Sequence, residues 1–363
     1  MNIIIDTRMI YDRLHGIARY LYEILKVFND RYIPHNVSLI TNNPGTLKKL
    51  GLAGRFDFIE AKSRPFHPME FLEIPSILKK SKADLFHAPS ISVPPFKTVP
   101  TVITVHDLIP YHEGSMFHRM YCNYVLRNAI GYSQAVITDA EYTKEDVVKY
   151  MGCPEDKIRV IHASTSISQS DEITWKEVSR KFRLKKPYVF CLANPRPHKN
   201  LTGLISMFEM ARAGSPKEFS LVIGSKTSEE LEAKISASPY KNDIIRINYL
   251  EDDELGIIYE NARVFAFPSF FEGFGLPPLE AMSFGCPVVC SNRTSLPEVV
   301  GEGGILEDPS DKKAFAAHIL RLMTDDELYS EYSARAKERS RFFSWEKCAM
   351  ETLEVYENAV KKN

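Results

Sequence analysis

The stretch Pro268-Ser269-Phe270-Phe271-Glu272-Gly273-Phe274-Gly275-Leu276-Pro277-Pro278-Leu279-Glu280-Ala281-Met282 decides how this chain is read. Ahead of it, Val264-Phe265-Ala266-Phe267 has the length and bulk of a buried strand and stops at Pro268-Ser269. Gly273 and Gly275 predict a loop whose backbone takes positive φ and comes close to a ligand. Pro277-Pro278 suits the first turn of a helix, where a missing N–H costs nothing, and Leu279, Ala281 and Met282 continue that helix. Strand, glycine loop and helix N-terminus together offer backbone N–H groups and a partial positive charge to an anion such as phosphate.

Two carboxylates sharpen this expectation. Glu272 opens the loop and Glu280 lies in the first helical turn, so both are expected at the carboxyl end of the strand, where open α/β sheets bind ligands. Carboxylates accept hydrogen bonds from vicinal hydroxyls, and two of them beside amides suited to a diphosphate point to a ligand with two sugars, a nucleotide ribose and a transferred hexose. For either glutamate alone a plainer role stands equally: Glu280 complements the helix dipole and Glu272 is a solvated loop residue.

Composition sets the bounds. The chain has 363 residues, 44% hydrophobic and 26% charged, with a net charge of −1. That is the make-up of a soluble globular enzyme of two domains, and it gives no reason to expect a nucleic acid partner. Residues 1–165 hold 20 Lys/Arg against 17 Asp/Glu, and residues 166–363 hold 26 against 30. The mildly basic first part is compatible with peripheral contact to an anionic membrane surface. No uninterrupted apolar run of about 18 residues exists, so no transmembrane helix is expected. The opening Asn2-Ile3-Ile4-Ile5-Asp6 reads as a strand rather than a signal peptide. Six cysteines without a CxxC pair read as reduced core thiols of a cytoplasmic protein, with peripheral attachment at the inner face of the cytoplasmic membrane left open.

Short apolar runs alternate with amphipathic ones along the whole chain. Runs at 3–5, 37–40, 84–87, 101–105, 135–138 and 158–161 predict strands of a first domain, and runs at 188–192, 219–223, 244–247, 264–267 and 287–290 those of a second. Between them, stretches such as 17–28 and 120–130 carry apolar residues at three- and four-residue spacing. Such alternation predicts parallel, doubly wound sheets. The expected organisation is an α/β chain of two Rossmann-like domains facing a central cleft: 1–165, a linker at 166–186, then 187–345, with 346–363 as a final helix packed back on the first domain.

Three further clusters carry chemistry. In Asn194-Pro195-Arg196-Pro197-His198-Lys199-Asn200-Leu201, two prolines stiffen a turn, and Arg and Lys supply the fork and the point charge suited to a diphosphate. A solvated basic turn is the plainer account. His106-Asp107 follows directly on the strand 101–105, and Gly16 lies between the first strand and its helix. A lone histidine or glycine in such places also serves purely structural ends. Glu251-Asp252-Asp253-Glu254 precedes a helical run and reads as N-capping rather than metal binding. No Asp-x-Asp, P-loop, GxSxG or HExxH occurs, and no metal site is expected.

The segment Glu272-Gly273-Phe274-Gly275-Leu276-Pro277-Pro278-Leu279-Glu280-Ala281-Met282 resembles the signature of the retaining glycosyltransferases of family 4, which have the GT-B fold. The likeness runs along the whole chain and is strongest at 264–300. It implies that Glu272 contacts the donor sugar, that Glu280 holds the ribose, and that the amides of Gly273, Phe274, Gly275 and Leu276 lie near sugar and phosphate. It further implies that Gly16 faces the donor diphosphate and that His106 stands against the hexose. Lys199 would bind the diphosphate in place of a metal, with Arg196 and His198 sharing the work. The family's usual Gly-Arg pair is Ala193-Asn194 here, which puts the guanidinium in doubt and motivates one alternative, a catalytically weak partner subunit. His15, Asp107 and His87 are acceptor-side candidates. Arg19-Tyr20 and His198-Lys199-Asn200 resemble elements of the mannosyltransferase-like members, although Arg19 and Tyr20 fall within a helix, where packing is expected. The implied activity is metal-independent transfer of a hexose from a nucleotide diphosphate sugar, GDP-mannose or a UDP-hexose, to an oligosaccharide or lipid-linked acceptor. No cofactor is expected. A phosphorylase or epimerase of the same architecture is the third alternative.

Overall fold

The structure, a computed structural model, describes residues 1–11, 14, 16–167 and 172–361. The chain divides into two compact units, Met1–Ser164 with Ser344–Asn363, and Thr165–Phe343.

The first unit is built on strands β1 (Asn2–Asp6), β2 (Asn36–Thr41), β3 (Asp57–Glu60), β4 (Leu85–Ala88), β5 (Thr101–Val105), β6 (Ala135–Thr138) and β7 (Ile158–Val160). They form one parallel sheet in the order β3-β2-β1-β4-β5-β6-β7. Every residue of β4 and β5 is buried, as expected of central strands covered on both faces by helices. The second unit repeats the plan with β8 (Tyr188–Leu192), β9 (Ser220–Gly224), β10 (Ile244–Ile247), β11 (Val264–Phe267), β12 (Val288–Ser291) and β13 (Ile305–Glu307), in the order β10-β9-β8-β11-β12-β13. Here β11 and β12 are wholly buried. In each sheet the order reverses once, between β1 and β4 and between β8 and β11, which defines a topological switch point at the carboxyl ends of those strands.

The segment expected as a linker, 166–186, is only partly one. Thr174 and Glu177 form a reciprocal capping box that starts the helix Trp175–Phe182. Val178 and Leu184 are buried in the second unit's core, and Trp175 stacks on Tyr188 at 5.9 Å. The charged exterior of this amphipathic helix resembles linker sequence, while its apolar stripe anchors it. Glu251 and Glu254 likewise make a capping box for the helix Asp252–Asn261, the role their sequence suggested.

The last helix, Trp345–Lys361, belongs to the first unit. It buries Cys348, Ala349, Thr352, Leu353 and Tyr356 along one face. The Arg31–Glu346 ion pair and the His35–Glu357 hydrogen bond flank that seam. All six cysteines are buried and none is in a disulfide. Among the described residues, no helix is long and apolar enough to cross a membrane.

Candidate active site

In the second unit the loops leaving β8 and β11, on either side of the switch point, are stitched to each other. The carbonyl of His198 accepts from the Phe270 N–H (2.7 Å) and the Ser269 hydroxyl (3.0 Å). The Asn200 amide donates to the carbonyls of Pro268 and Pro309. Pro197–Lys199 is a single 3-10 turn ended by Asn200 at φ 55°, from which the helix Leu201–Ala213 starts. Gly203 permits this: a Cβ there would lie 2.0 Å from the Asn200 Oδ1.

This stitching brings Lys199 onto Glu272. The ammonium lies 2.7 Å from each carboxylate oxygen, and the two side chains are 16% and 9% exposed. The Glu272 backbone is fixed as well. Its N–H donates to Thr294 Oγ1, and the buried Ser295 hydroxyl donates to the carbonyls of Glu272 and Phe274. Of the two loop glycines, only Gly275 takes positive φ, 113°, so the expectation for Gly273 is corrected. Two glycines in a pattern do not reveal which carries the turn. The helix Leu276–Ser283 begins as expected with Pro277 and Pro278 in its first turn. Those prolines bring no N–H, and the Leu279 N–H donates to the Gly275 carbonyl. Phe274 is buried and meets Phe343 edge to face at 5.8 Å.

Glu280 is 7% exposed and accepts a 2.9 Å hydrogen bond from the Tyr259 hydroxyl. Burial and the neighbouring carboxylate both raise the Tyr259 pKa, so its proton stays on to donate. Sequence reasoning missed Tyr259, Thr294 and Ser295, and gave Asn200 no role of its own within its cluster. Hydroxyl and amide side chains that tie loops together leave no periodic signal. Arg196 is exposed, and among the described residues its side chain makes no hydrogen bond or ion pair. The structure therefore brings together Lys199 and Glu272, with His198 contributing its backbone, and leaves Arg196 outside that bond set.

In the first unit His106 follows β5 and Asp139 follows β6. Val105 pairs with Thr138 across the ladder, so the next residues stand side by side, and His106 Nδ1 bonds the Asp139 carboxylate. His106 Nε2 meets the Pro89 carbonyl at 3.1 Å. Burial works against a charge on this ring, but the Asp139 carboxylate outweighs it and the His106 pKa is raised. Tyr20, buried in the helix Ile17–Asp30, meets the His106 ring edge to face at 4.6 Å and Trp345 at 5.9 Å. The packing role expected of Tyr20 is thus exercised on His106 itself. Asp107 caps the next turn by accepting from the Ile109 N–H. Gly16 is exposed at φ 51°, immediately before the helix Ile17–Asp30.

His87 does not line an acceptor surface. It lies inside β4 with no exposed area, bonded through Nε2 to Thr104 Oγ1 and through Nδ1 to the Tyr356 hydroxyl. Its strand sits at the middle of the sheet, under the last helix, so a ring two residues before Pro89 is covered from both sides. His15 lies outside the described residues. A buried network that the sequence did not suggest follows β1: Arg8, 1% exposed, pairs with Asp6 and Glu70.

Among solved structures, the chain is similar to a glycosyltransferase from Rickettsia africae ESF-5, with TM-score 0.77 at 17% identity, covering 100% of this chain and 99% of that one. It is also similar to Anabaena Alr3699/HepE, solved with UDP and glucose, with TM-score 0.75 at 17% identity over 98% of each chain. These likenesses define the class, an α/β chain of the GT-B fold. The model of glycosyl transferases group 1 matches residues 173–339 and that of glycosyltransferase family 4 matches residues 14–167. The O-antigen chain mannosyltransferase B of Escherichia coli is 28% identical over 98% of this chain and 99% of its own length. The serotype-specific mannosyltransferase WbdA of Escherichia coli is 30% identical over 70% of this chain and a third of its own. The chain belongs to the family 4, group 1 glycosyltransferases. It is a hexosyltransferase of polysaccharide synthesis, acting between a nucleotide-sugar donor and a glycan acceptor.

Proposed function

We propose that this enzyme transfers a hexose, best read as mannose from GDP-mannose, with retention of anomeric configuration and without a metal ion. The observation that carries the reading is the Lys199–Glu272 contact at the switch point of the second sheet. Breaking the anomeric bond develops negative charge on the departing diphosphate and positive charge on the sugar. Lys199, the amides of Gly273 to Leu276, Gly16 and the exposed Arg196 are the groups suited to the former, with His198 beside them. Glu272 and His106 serve the hexose, and Glu280, oriented by Tyr259, serves the ribose. Glu272 is held by Lys199 on both oxygens, which favours a role toward sugar hydroxyls and same-face attack guided by the leaving phosphate over a covalent glycosyl-enzyme. Mannose is favoured by the Arg19-Tyr20 and His198-Lys199-Asn200 elements and by the mannosyltransferases of similar sequence.

The acceptor side is assigned to the first unit, with a lipid-linked glycan at a membrane surface. What supports a membrane contact is one exposed helical face. Met116, Phe117, Met120 and Tyr124 are 71%, 83%, 49% and 73% exposed along the continuous helical run Met116–Tyr121, Cys122–Leu126, Arg127–Tyr132. No Asp or Glu occurs between Glu113 and Asp139, while Arg119 and Arg127 flank the apolar face. Large apolar side chains with cations and no acids suit the headgroup region of an anionic bilayer.

A thermal-shift comparison of GDP, UDP and their sugars, in EDTA and then in magnesium, tests the donor reading. A ligand at a hundred times its dissociation constant adds about 2.7 kcal/mol. Stabilisation by GDP compounds in EDTA is the expected result. A response to uridine compounds alone would replace guanine by uracil, a requirement for magnesium would overturn the metal-free reading, and no response would remove the donor site.

A further inference from the structure

We infer that Asp139 is the positioning residue for His106, fixing its ring through Nδ1 and holding it as an imidazolium. His106 would then be a fixed cation and hydrogen-bond donor rather than a general base. Three independent features carry this. The ladder register sets the two side chains at matching strand ends, so their contact is built into the sheet and not into a mobile loop. Both ring nitrogens face acceptors, the Asp139 carboxylate at Nδ1 and the Pro89 carbonyl at Nε2. A neutral imidazole has one N–H and leaves one of these acceptors without a donor, whereas the imidazolium serves both. Finally, Asp139 is 4% exposed, and its other carboxylate oxygen has no hydrogen-bond partner among the described residues. A carboxylate so buried needs a counter-charge, and the ring bonded to it is the group at hand.

The groups around this pair agree with the assignment. Asp107, beside His106, adds negative charge that favours the ring cation. From the first helix, Tyr20 presents its ring at 4.6 Å and stays neutral, because burial raises its pKa. From β4, His87 is kept neutral by burial and by the proximity of His106. From the last helix, burial holds Cys348 as a neutral thiol and Tyr356 as a neutral phenol. No second cation competes for Asp139 in this set.

Chemically, the Nε2 proton now given to Pro89 is the one a sugar hydroxyl or phosphate oxygen would accept on replacing that carbonyl. A protonated ring stabilises negative charge at that point and cannot remove a proton there. This role rests on the donor reading above, but the protonation state does not.

The test is nitrogen-15 NMR of the full-length protein with labelled histidine, followed through a pH titration, for wild type and Asp139→Asn. The expected wild-type result is an imidazolium pattern for His106 that persists above the ordinary histidine range, and in Asp139→Asn a neutral ring with one N–H at the same pH. A neutral His106 in wild type at pH 7, or an unchanged ring in Asp139→Asn, overturns the inference. Should Asp139→Asn fail to fold, the wild-type titration alone decides it, and Asp139→Glu, which keeps the charge, should restore the cation. In a transfer assay, Asp139→Asn should lower kcat by roughly ten- to a hundredfold with little change in donor KM. The alkaline limb of its kcat profile should move to lower pH, a shift that a merely structural residue would not produce. If wild type transfers no sugar while His106 titrates as a cation, the proposed function fails and the Asp139 assignment stands.

Discussion

The Lys199 ammonium bridges both oxygens of the Glu272 carboxylate, 73 residues further along the chain, at 2.7 Å each. Neither partner is well solvated, so removing one strands the other. Breaking a buried pair from one side costs about 3–5 kcal/mol, far more than replacing both. Lys199→Ala should therefore lower unfolding stability by more than Lys199→Ala with Glu272→Gln, measured by denaturant titration. Additive losses would show that the two groups are not coupled. Each single variant should also reduce transfer by about a hundred- to a thousandfold, the loss seen when one preorganised group at developing charge is removed.

Gly275 is the position in the signature loop where backbone strain is decided. Its φ of 113° is rare for a side-chain-bearing residue, and a Cβ would stand 2.8 Å from Leu296 Cδ2. Gly275→Ala should cost about 1–3 kcal/mol and weaken nucleotide binding by isothermal calorimetry, because the amides up to Leu276 would be re-aimed. Gly273→Ala, at a residue without positive φ, should cost less stability. Equal losses at the two glycines would refute the distinction.

How far the sequence carried this reading depends on where each feature keeps its signal. The buried strands were visible as apolar runs, because central parallel strands are covered on both faces. β3 and β13 were not: Asp57-Phe58-Ile59-Glu60 and Ile305-Leu306-Glu307 are short edge strands with too few apolar residues to register. Glu272, Glu280 and Lys199 were legible through their motif. Tyr259 and Asp139 were not, since a single tyrosine or aspartate in an apolar neighbourhood acquires its meaning only from strand register or helix packing. The Asp139 signal was nonetheless present in outline, as an aspartate directly after the strand next in line to the one that His106 follows. His87 shows the opposite failure. A polar residue near a strand end reads as an acceptor-side or loop candidate, whereas the last helix, distant in sequence, covers it with Tyr356.

Burial of His87 has a pH consequence. Its pKa is lowered from 6.5 to about 3, chiefly by burial and also by nearby His106, so the native ring stays neutral where the unfolded chain takes up a proton. Between pH 6.5 and about 3 the unfolded state binds more protons, and stability falls as pH falls. This stability is fully present above 6.5, and the loss amounts to roughly 3–5 kcal/mol at the acid end. His87→Gln cannot titrate, so the difference in stability between wild type and variant should shrink on acidification. The check is urea unfolding at a series of pH values from 7 to 4. A difference independent of pH would show that His87 is protonated inside the fold.

The exposed face of the helical run 116–132 yields the last expectation, and charge separates it from a plain hydrophobic surface. If Phe117 and Tyr124, 83% and 73% exposed, sit at the headgroup boundary, then binding to vesicles should require anionic lipid and weaken with salt, because Arg119 and Arg127 act only within a Debye length. Phe117→Asp should reduce co-sedimentation with phosphatidylglycerol vesicles by about tenfold while leaving nucleotide-induced thermal shifts unchanged, since the residue belongs to the first unit and the proposed donor groups Lys199, Glu272 and Glu280 to the second. Arg119→Glu with Arg127→Glu should abolish the salt dependence along with the binding. Equal binding to neutral vesicles would point to apolar adhesion without charge recognition. Unchanged binding of Phe117→Asp to anionic vesicles would move the contact elsewhere on the first unit, and concentration-dependent dimerisation lost in that variant would identify a second copy of the chain as the occupant of this face.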